Sequence, residues 1–135
     1  MTAMKKQTLA LILVSTLLLV LYACFLGSDV ALRPVEVGTG QVTCRLVNPT
    51  LHSIGYGEPF YLEYLEPDGW TPVNDRGADV NFQMPLYILR PLTFKTLEFR
   101  VSLYSDLSRP GTYRIVFPVT VSGQARNLYC QFTVQ

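Results

Sequence analysis

The side chains that could carry catalysis are few in this chain of 135 residues. His52 is the single imidazole, and it stands beside Ser53 in the loop Pro49-Thr-Leu-His-Ser-Ile-Gly. A histidine could act as a general base toward a serine, but folding normally brings such partners together from distant parts of a chain. We therefore interpret His52 as a solvated loop residue, and we predict no catalytic residue and no enzyme activity.

Carboxylates could instead form an acid–base pair or hold a metal ion. Glu63 and Glu66 lie three positions apart in an alternating apolar pattern, so on a strand they point to opposite faces. The loop residues Asp68, Asp75 and Asp79 match no calcium-binding spacing. The sequence also contains no phosphate-binding glycine loop, serine elbow or zinc motif, so we predict no metal site and no cofactor. The formal net charge of +1 is not that of a nucleic-acid-binding protein, and no nucleic-acid partner is expected.

The amino terminus has the pattern of an export signal. Lys5 and Lys6 precede the stretch 9–27, which contains no charged residue, and a short basic start before an apolar run is typical of exported proteins. Its 19 positions are enough to span the hydrocarbon core of a bilayer, which is roughly 30 Å thick. We predict a location at the cell membrane, with the two lysines inside and the rest of the chain on the extracytoplasmic side.

Two forms of membrane attachment fit this segment. Leu21-Tyr22-Ala23-Cys24 resembles the lipobox of bacterial lipoproteins, and the resemblance implies that Cys24 carries a lipid and becomes the mature amino terminus. Tyr22 departs from the pattern, which prefers a smaller residue, and an uncleaved signal anchor is the alternative. We divide the chain into a signal or anchor at 1–24, a tether at 25–40 that glycines and a proline interrupt, and a folded domain at 41–135.

Two further cysteines, Cys44 and Cys130, lie 86 positions apart. In exported domains, two remaining cysteines most often pair. Alternating apolar neighbours place both thiols on the inward faces of the first and the last strand of the domain. We therefore predict a disulfide, which would stabilise the fold by roughly 4 kcal/mol through loop closure. Two buried free thiols are the alternative.

The chain after residue 40 alternates between apolar and polar residues in short segments separated by turns. Turn signals stand at Pro67-Asp68-Gly69 and at Ser122-Gly123-Gln124. About seven short strands indicate an all-β sandwich, preceded by the amino-terminal hydrophobic helix. The predicted strand segments are 41–47, 60–66, 70–73, 80–84, 86–89, 94–103, 112–121 and 127–134.

Several short motifs resemble bacterial immunoglobulin-like domains of small exported proteins. They are Asn48, Tyr56-Gly57-Glu-Pro-Phe60, Leu62-Glu63, Asp68-Gly69-Trp70 and Leu107-Ser-Arg-Pro-Gly111-Thr-Tyr113-Arg114-Ile115. The resemblance covers 41–135 and implies an immunoglobulin-like β-sandwich without a shared catalytic site. We expect Trp70 to fill space between the sheets. We expect Leu107, Gly111 and Tyr113 to form a tyrosine corner, in which the phenol bonds backbone across a loop.

Charge is distributed unevenly along the exported part of the chain. Residues 29–75 carry a net charge of −5 and residues 76–135 a net charge of +4. We interpret this as strands of the two halves that interleave and neutralise each other, and an acidic binding patch is the alternative. The candidate binding residues are Tyr61, Glu63, Tyr64 and Glu66.

The predicted function is that of a membrane-tethered, extracytoplasmic, non-enzymatic module that binds a protein or another component of the cell envelope. The membrane itself is a partner, through the lipid or the amino-terminal helix. The alternative function is an exported inhibitor of a hydrolase, with the loop at 51–56 as its inserting wedge.

Overall fold

The computed structural model of the protein describes residues 2–26, 29–79 and 86–135. In these ranges one α-helix, α1 (Thr2–Leu26), precedes nine β-strands, and a 3-10 helix lies at Val101–Leu103. The predicted strand at 80–84 lies outside the described residues. The strands are β1 (Ala31–Val37), β2 (Val42–Asn48), β3 (Ile54–Tyr56), β4 (Tyr61–Glu66), β5 (Gly69–Pro72), β6 (Tyr87–Leu89), β7 (Thr93–Phe99), β8 (Gly111–Val121) and β9 (Gln124–Val134).

Helix α1 has the composition of a membrane segment. Its stretch Ala3–Tyr22 has a mean hydropathy of 1.6, is long enough to cross a membrane, and buries none of its surface. The hydroxyls of Thr8 and Thr16 donate to backbone carbonyls one turn back, so these polar groups are satisfied within the helix. The length and composition of this apolar helix are consistent with a signal sequence or a membrane anchor.

Two antiparallel sheets form the sandwich. The first sheet has the order β1-β2-β7, and the second has the order β5-β4-β8-β3-β6, with β9 also paired to β8. Strand β8 is the centre of the second sheet, since β9 follows it over its whole length while β4 and β3 share its other edge in succession. The predicted all-β sandwich is confirmed. The described residues hold nine strands rather than about seven, because β1 and β3 were not predicted as strands.

The core between the two sheets is largely aromatic. Phe60 packs edge-to-face against Phe99 at 5.1 Å and against Tyr104 at 5.3 Å between ring centroids, and Phe99 meets Phe117 at 5.1 Å. Edge-to-face packing suits the ring quadrupoles and adds to the gain from apolar burial. Alternate aliphatic residues complete the core, as the sequence pattern predicts: they include Val42, Leu46, Ile54, Leu62, Ile115 and Val119.

The predicted tether at 25–40 is wrong for residues 31–37, which form β1 against β2. Val30 and Leu32 are buried, and burying these apolar side chains stabilises a segment whose sequence shows little alternation. Pro34 fits on this strand because the register shifts between Pro34 and Glu36, where the ladder is interrupted. Consequently Cys44 lies on the second strand of the sandwich and not on the first.

The strand predicted at 94–103 ends earlier than its apolar alternation suggests. Strand β7 ends at Phe99, and the chain then turns into the 3-10 helix. The backbone N–H of Ser102 donates to the carbonyl of Gly40 at 3.1 Å, which holds this turn against the β1–β2 connection. Val101 is buried, whereas Leu103 is exposed.

Candidate functional site

Arg114 is the centre of a layered cluster on the outer face of the second sheet. Its guanidinium carbon lies 4.3 Å from the ring centroid of Trp70 and 4.1 Å from that of Tyr129. Its Nε donates to Oε1 of Glu63 at 2.6 Å. We call these four side chains, on strands β4, β5, β8 and β9, the Arg114 stack.

Strand register and side-chain alternation build the Arg114 stack. Glu63 of β4 lies opposite Arg114 of β8. Tyr129 of β9 lies opposite Val116, which is two residues after Arg114 on β8 and therefore on the same face. Trp70 pairs with Leu65 on β4, one strand further out. Successive side chains on a strand point to opposite faces. The residues that alternate with the buried positions of each strand therefore lie on the outer face of the sheet.

The stack combines charge with aromatic surface in a fixed geometry. The Glu63 and Arg114 side chains are only 21% and 19% exposed, so their ion pair is shielded from bulk water more than a surface pair would be. A guanidinium over an aromatic face is attracted by the ring quadrupole, and two rings here hold one guanidinium. The outward surface is aromatic and apolar, since Tyr129 is 48% and Leu65 43% exposed.

The four candidate binding residues divide between two places. Tyr61 and Glu63 lie on the outer face with the Arg114 stack, whereas Tyr64 and Glu66 brace the loop before β8. The Tyr64 hydroxyl donates to the Pro110 carbonyl at 2.8 Å, and Arg109 lies 4.0 Å over the Tyr64 ring. Arg109 also pairs with Glu66 at 2.8 Å, and this hydrogen bond lowers the pKa of the Glu66 carboxyl.

Trp70 does not occupy the position that the sequence predicted. It was expected to fill space between the sheets, but it is half-buried on the outer face against Arg114. The two-residue turn before β5 pairs Trp70 with Leu65, a position that the alternation of β4 directs outward. The alternation of β4 contains a signal for this position of Trp70. Leu62 lies on the buried face, so Leu65, three positions later, and its pairing partner Trp70 lie on the outer face.

The other three predicted core residues lie at the start of β8 or in the loop just before it. Tyr113 is buried, and its hydroxyl donates to the carbonyl of Arg109 at 2.7 Å, which is the hydrogen bond of a tyrosine corner. Leu107 packs partly buried against the core with a φ of 57°. Gly111 has a φ of 142° and lies directly against the Tyr64 ring.

The two buried cysteines face each other across the sandwich. Cys44 on β2 and Cys130 on β9 are free thiols, and the Cys44 thiol donates to Cys130 with the sulfurs 3.2 Å apart. This hydrogen bond, together with burial, raises the pKa of Cys44. The predicted disulfide between them stays a prediction. The side chain of Cys24, with its predicted lipid, lies outside the described residues.

A cleft of about 570 Å³ opens between the sheets beside β7. Its floor is formed by core rings, and charged residues of β7 and of the β3–β4 connection stand at its rim. The Tyr87 hydroxyl donates to Glu58 there at 3.2 Å, and this hydrogen bond raises the pKa of Tyr87. The lining residues that bear charge are Glu58, Lys95, Glu98 and Arg100.

His52 lies exposed in the β2–β3 connection, where its backbone N–H donates to the hydroxyl of Thr50 at 3.2 Å. Within the same described ranges, no group of three His, Cys, Asp or Glu side chains is placed to hold a metal ion. The predicted inhibitor wedge at 51–56 is shorter than expected, because 54–56 form β3 with Ile54 and Tyr56 buried. Only 51–53 project as a loop.

Comparison with known proteins identifies the family of the sandwich. A family model described as "Bacterial Ig-like domain" matches residues 30–133. No curated protein and no solved structure matches the chain. The matched range begins one residue before β1 and ends within β9, so it contains both sheets. The chain belongs to the bacterial Ig-like domain family.

Proposed function

We propose that this chain is a membrane-tethered, extracytoplasmic binding module without enzyme activity, and that the Arg114 stack is its contact surface for a protein of the cell envelope. The apolar helix α1 supports the tether. Membership of the bacterial Ig-like family supports a binding role, although one fold can serve many tasks.

The Arg114 stack is the observation that carries the proposal. Tryptophan, tyrosine and arginine are the residue types most enriched where truncation costs most binding energy. Trp70, Arg114 and Tyr129 already hold one another in place, so little side-chain entropy is lost when a partner covers them. The open face of a sheet suits a protein surface, whereas small ligands favour concave sites.

The first sheet offers a matched control on its own outer side. Arg45 lies 4.7 Å over the ring of Phe94, which is 59% exposed. This pair has the same chemistry as the Arg114 stack but lacks the second ring and the carboxylate. Substitution of Phe94 therefore removes an exposed aromatic side chain without touching the proposed contact surface.

The test is crosslinking in intact cells that express the full chain, followed by purification of the chain and identification of attached proteins. We expect one specific envelope protein with the wild type and with Phe94→Ala. We expect Tyr129→Ala and Trp70→Ala each to reduce that product at least about tenfold, the loss typical of a central interface residue. Thermal unfolding of each variant in detergent shows whether the sandwich stays folded.

The outcomes separate the alternatives. An unchanged product in the folded Tyr129→Ala and Trp70→Ala variants would place the contact elsewhere and overturn the role of the stack. A complete lack of crosslinked protein would contradict the binding function. Capture of a hydrolase whose activity falls, with loss on substitution of Leu51, would instead support the inhibitor function.

The form of the tether has its own measurement. We propose that either a lipid on Cys24 or the uncleaved helix holds the chain at the membrane. The mass of the mature protein extracted from membranes decides between them. A chain that begins at Met1 or Thr2 without added mass contradicts the lipid, and a chain that begins at a modified Cys24 contradicts the uncleaved anchor.

A further inference from the structure

One end of the sandwich contains the first residues of the folded domain and three of the connections between strands. Ala31 of β1 lies opposite Val47, and Asn48 lies opposite Thr93, so the loops at 49–53 and 90–92 lie at this end. Ile54 lies opposite Val121, which adds the β8–β9 turn. We call this set of segments the proximal end.

The chain leads directly from α1 into the proximal end. Helix α1 ends at Leu26 and β1 begins at Ala31, five residue steps later. Five extended residues reach at most about 18 Å. The Asp29 carboxylate also pairs with Arg126 of β9, which ties the last part of this connection to the sandwich. If residues 1–26 hold the chain in a membrane, the proximal end must therefore lie close to its surface.

The proximal end is strongly cationic. The segments 29–33, 45–54, 89–96 and 119–127 together carry a net charge of +4, with Asp29 as their single acid. The rest of the domain from residue 34 onward carries a net charge of −5. Anionic headgroups attract the positive proximal end and repel the negative remainder of the domain. The charge distribution therefore favours an orientation with the proximal end toward an anionic membrane surface. The exposed cations are Arg33, Arg45, Arg90, Lys95 and Arg126.

Two leucines project from the tips of the proximal loops. Leu51 is 59% exposed and Leu92 is 40% exposed. Asn48 holds both loops, since its side-chain amide donates to the carbonyls of His52 and Arg90 at 2.7 and 3.1 Å. Leu92 donates its backbone N–H to Thr50 and has a φ of 59°, an uncommon conformation for leucine. The loops are thus braced in a form that leaves apolar side chains in solvent.

We infer that the proximal end docks on the anionic lipid surface of the membrane that holds α1, with Leu51 and Leu92 entering the interface and the cations meeting lipid phosphates. Exposed apolar side chains within a cationic surface are the combination by which peripheral segments bind anionic bilayers. The inference rests on the proposed membrane tether, but not on the proposed protein partner.

The single tryptophan of the chain allows a direct test. The full chain is reconstituted into vesicles that contain phosphatidylglycerol or only phosphatidylcholine, each with brominated acyl chains that quench tryptophan. The reporter chains are Trp70→Phe with Leu51→Trp and Trp70→Phe with Leu92→Trp. The wild type is the matched control, since Trp70 lies beside Arg114, seven residues and about 23 Å along β8 from the proximal end.

We expect strong quenching of both reporters in anionic vesicles, weak quenching in neutral ones, and no quenching of Trp70 in either. Added Arg90→Glu and Lys95→Glu substitutions should reduce the quenching in anionic vesicles several-fold. Equal quenching in both lipids, or none in anionic vesicles, overturns the inference. Vesicle flotation tests the tether separately. Chains that float but show no quenching contradict the docking and leave the tether intact. Chains that do not float contradict both the tether and the docking.

Discussion

Tyr104 links the stability of the core to alkaline pH. Burial raises the pKa of its phenol to about 12, and its hydroxyl donates to the carbonyl of Phe60. An unfolded tyrosine ionises near about pH 10. Between these values the unfolded chain loses the proton and the folded chain keeps it. The contribution of Tyr104 is therefore fully present below about pH 10 and is lost as the pH rises through 12.

We expect this loss to be on the order of 2 to 3 kcal/mol in the free energy of unfolding. Urea unfolding of the full chain in detergent, at intervals between about pH 9 and pH 12, measures it. Tyr104→Phe is the comparison, since it keeps the ring and removes the titration. A wild type and a Tyr104→Phe variant that lose stability in parallel over this range would contradict the assignment.

Gly111 is a position where a single methyl group should disturb the tyrosine corner. Its φ of 142° disfavours other residues, and a Cβ atom there would meet ring carbons of Tyr64 at 2.8 Å. Gly111→Ala must therefore displace Tyr64 from Arg109 and Pro110. We expect a loss of more than about 2 kcal/mol, from backbone strain and overpacking together.

Gly123 provides the control for this substitution. Its φ is 77°, and a Cβ atom there would meet nothing within 4 Å. Gly123→Ala should therefore cost only the backbone strain of about 1 kcal/mol. Urea unfolding of the two variants under the same conditions gives the comparison. Equal losses would show that the contact with Tyr64 does not matter.

At the scale of elements, the facing thiols of β2 and β9 predict a covalent link between the sheets. The sulfurs are 3.2 Å apart and buried. Oxidation would remove one hydrogen atom from each thiol, with both electrons passing to an oxidised dithiol protein or another envelope oxidant. We expect protein isolated without reductant to have both sulfurs blocked to a thiol reagent after unfolding, and to lose about 4 kcal/mol of stability on reduction. Labelling of both Cys44 and Cys130 would contradict the disulfide.

The elements that sequence reasoning found are those whose own side chains alternate. Strands β8 and β9 bury alternate residues, from Tyr113 to Val119 and from Leu128 to Phe132, so their period is visible without knowledge of the partner strand. Strand β1 was missed because Val30 and Leu32 are buried while the rest of the segment is largely exposed and contains Pro34. Its strand conformation depends on pairing with β2, which a local pattern does not record.

The candidate site was found only in part for a similar reason. Glu63 and Tyr61 were selected as acidic and aromatic residues of one strand, and they lie on the face of the Arg114 stack. Arg114, Trp70 and Tyr129 come from three other strands, and only the register of the sheet places them together. Trp70 was assigned to the core because large aromatic residues are usually buried, but here a guanidinium and not the core covers its ring.

For the molecule as a whole, folding redistributes a charge that is uneven along the sequence. The acidic and basic halves interleave, and each of the three ion pairs among the described residues joins one half to the other. These pairs are Asp29–Arg126, Glu63–Arg114 and Glu66–Arg109. Neutralisation is incomplete along the long axis of the sandwich, because Arg126 is the only one of the five exposed proximal cations that forms an ion pair among the described residues. The remaining polarity is what gives the domain a preferred orientation at a charged surface.

The short connection between α1 and β1 should strengthen this orientation. The connection from Leu26 to Ala31 is only five residue steps long, so the proximal end stays near the bilayer. This proximity raises the effective concentration of the proximal end at the lipid surface. A flexible Gly-Ser insertion of about ten residues after Ser28 would lengthen the connection to about three times its span. Effective concentration falls roughly as the three-halves power of linker length, so the ratio of docked to free domains should fall about fivefold.

Quenching of the Leu51→Trp and Leu92→Trp reporters by brominated phosphatidylglycerol measures this ratio, with flotation as the control that the tether is intact. The insertion leaves every contact of the sandwich in place, so its thermal unfolding should not change. Lower ionic strength should restore docking in the lengthened chain, because screening of the cations from the headgroups weakens. If the docked fraction changes with neither linker length nor salt concentration, the leucines alone hold the domain at the lipid surface. The uneven charge of the domain would then serve a partner other than lipid.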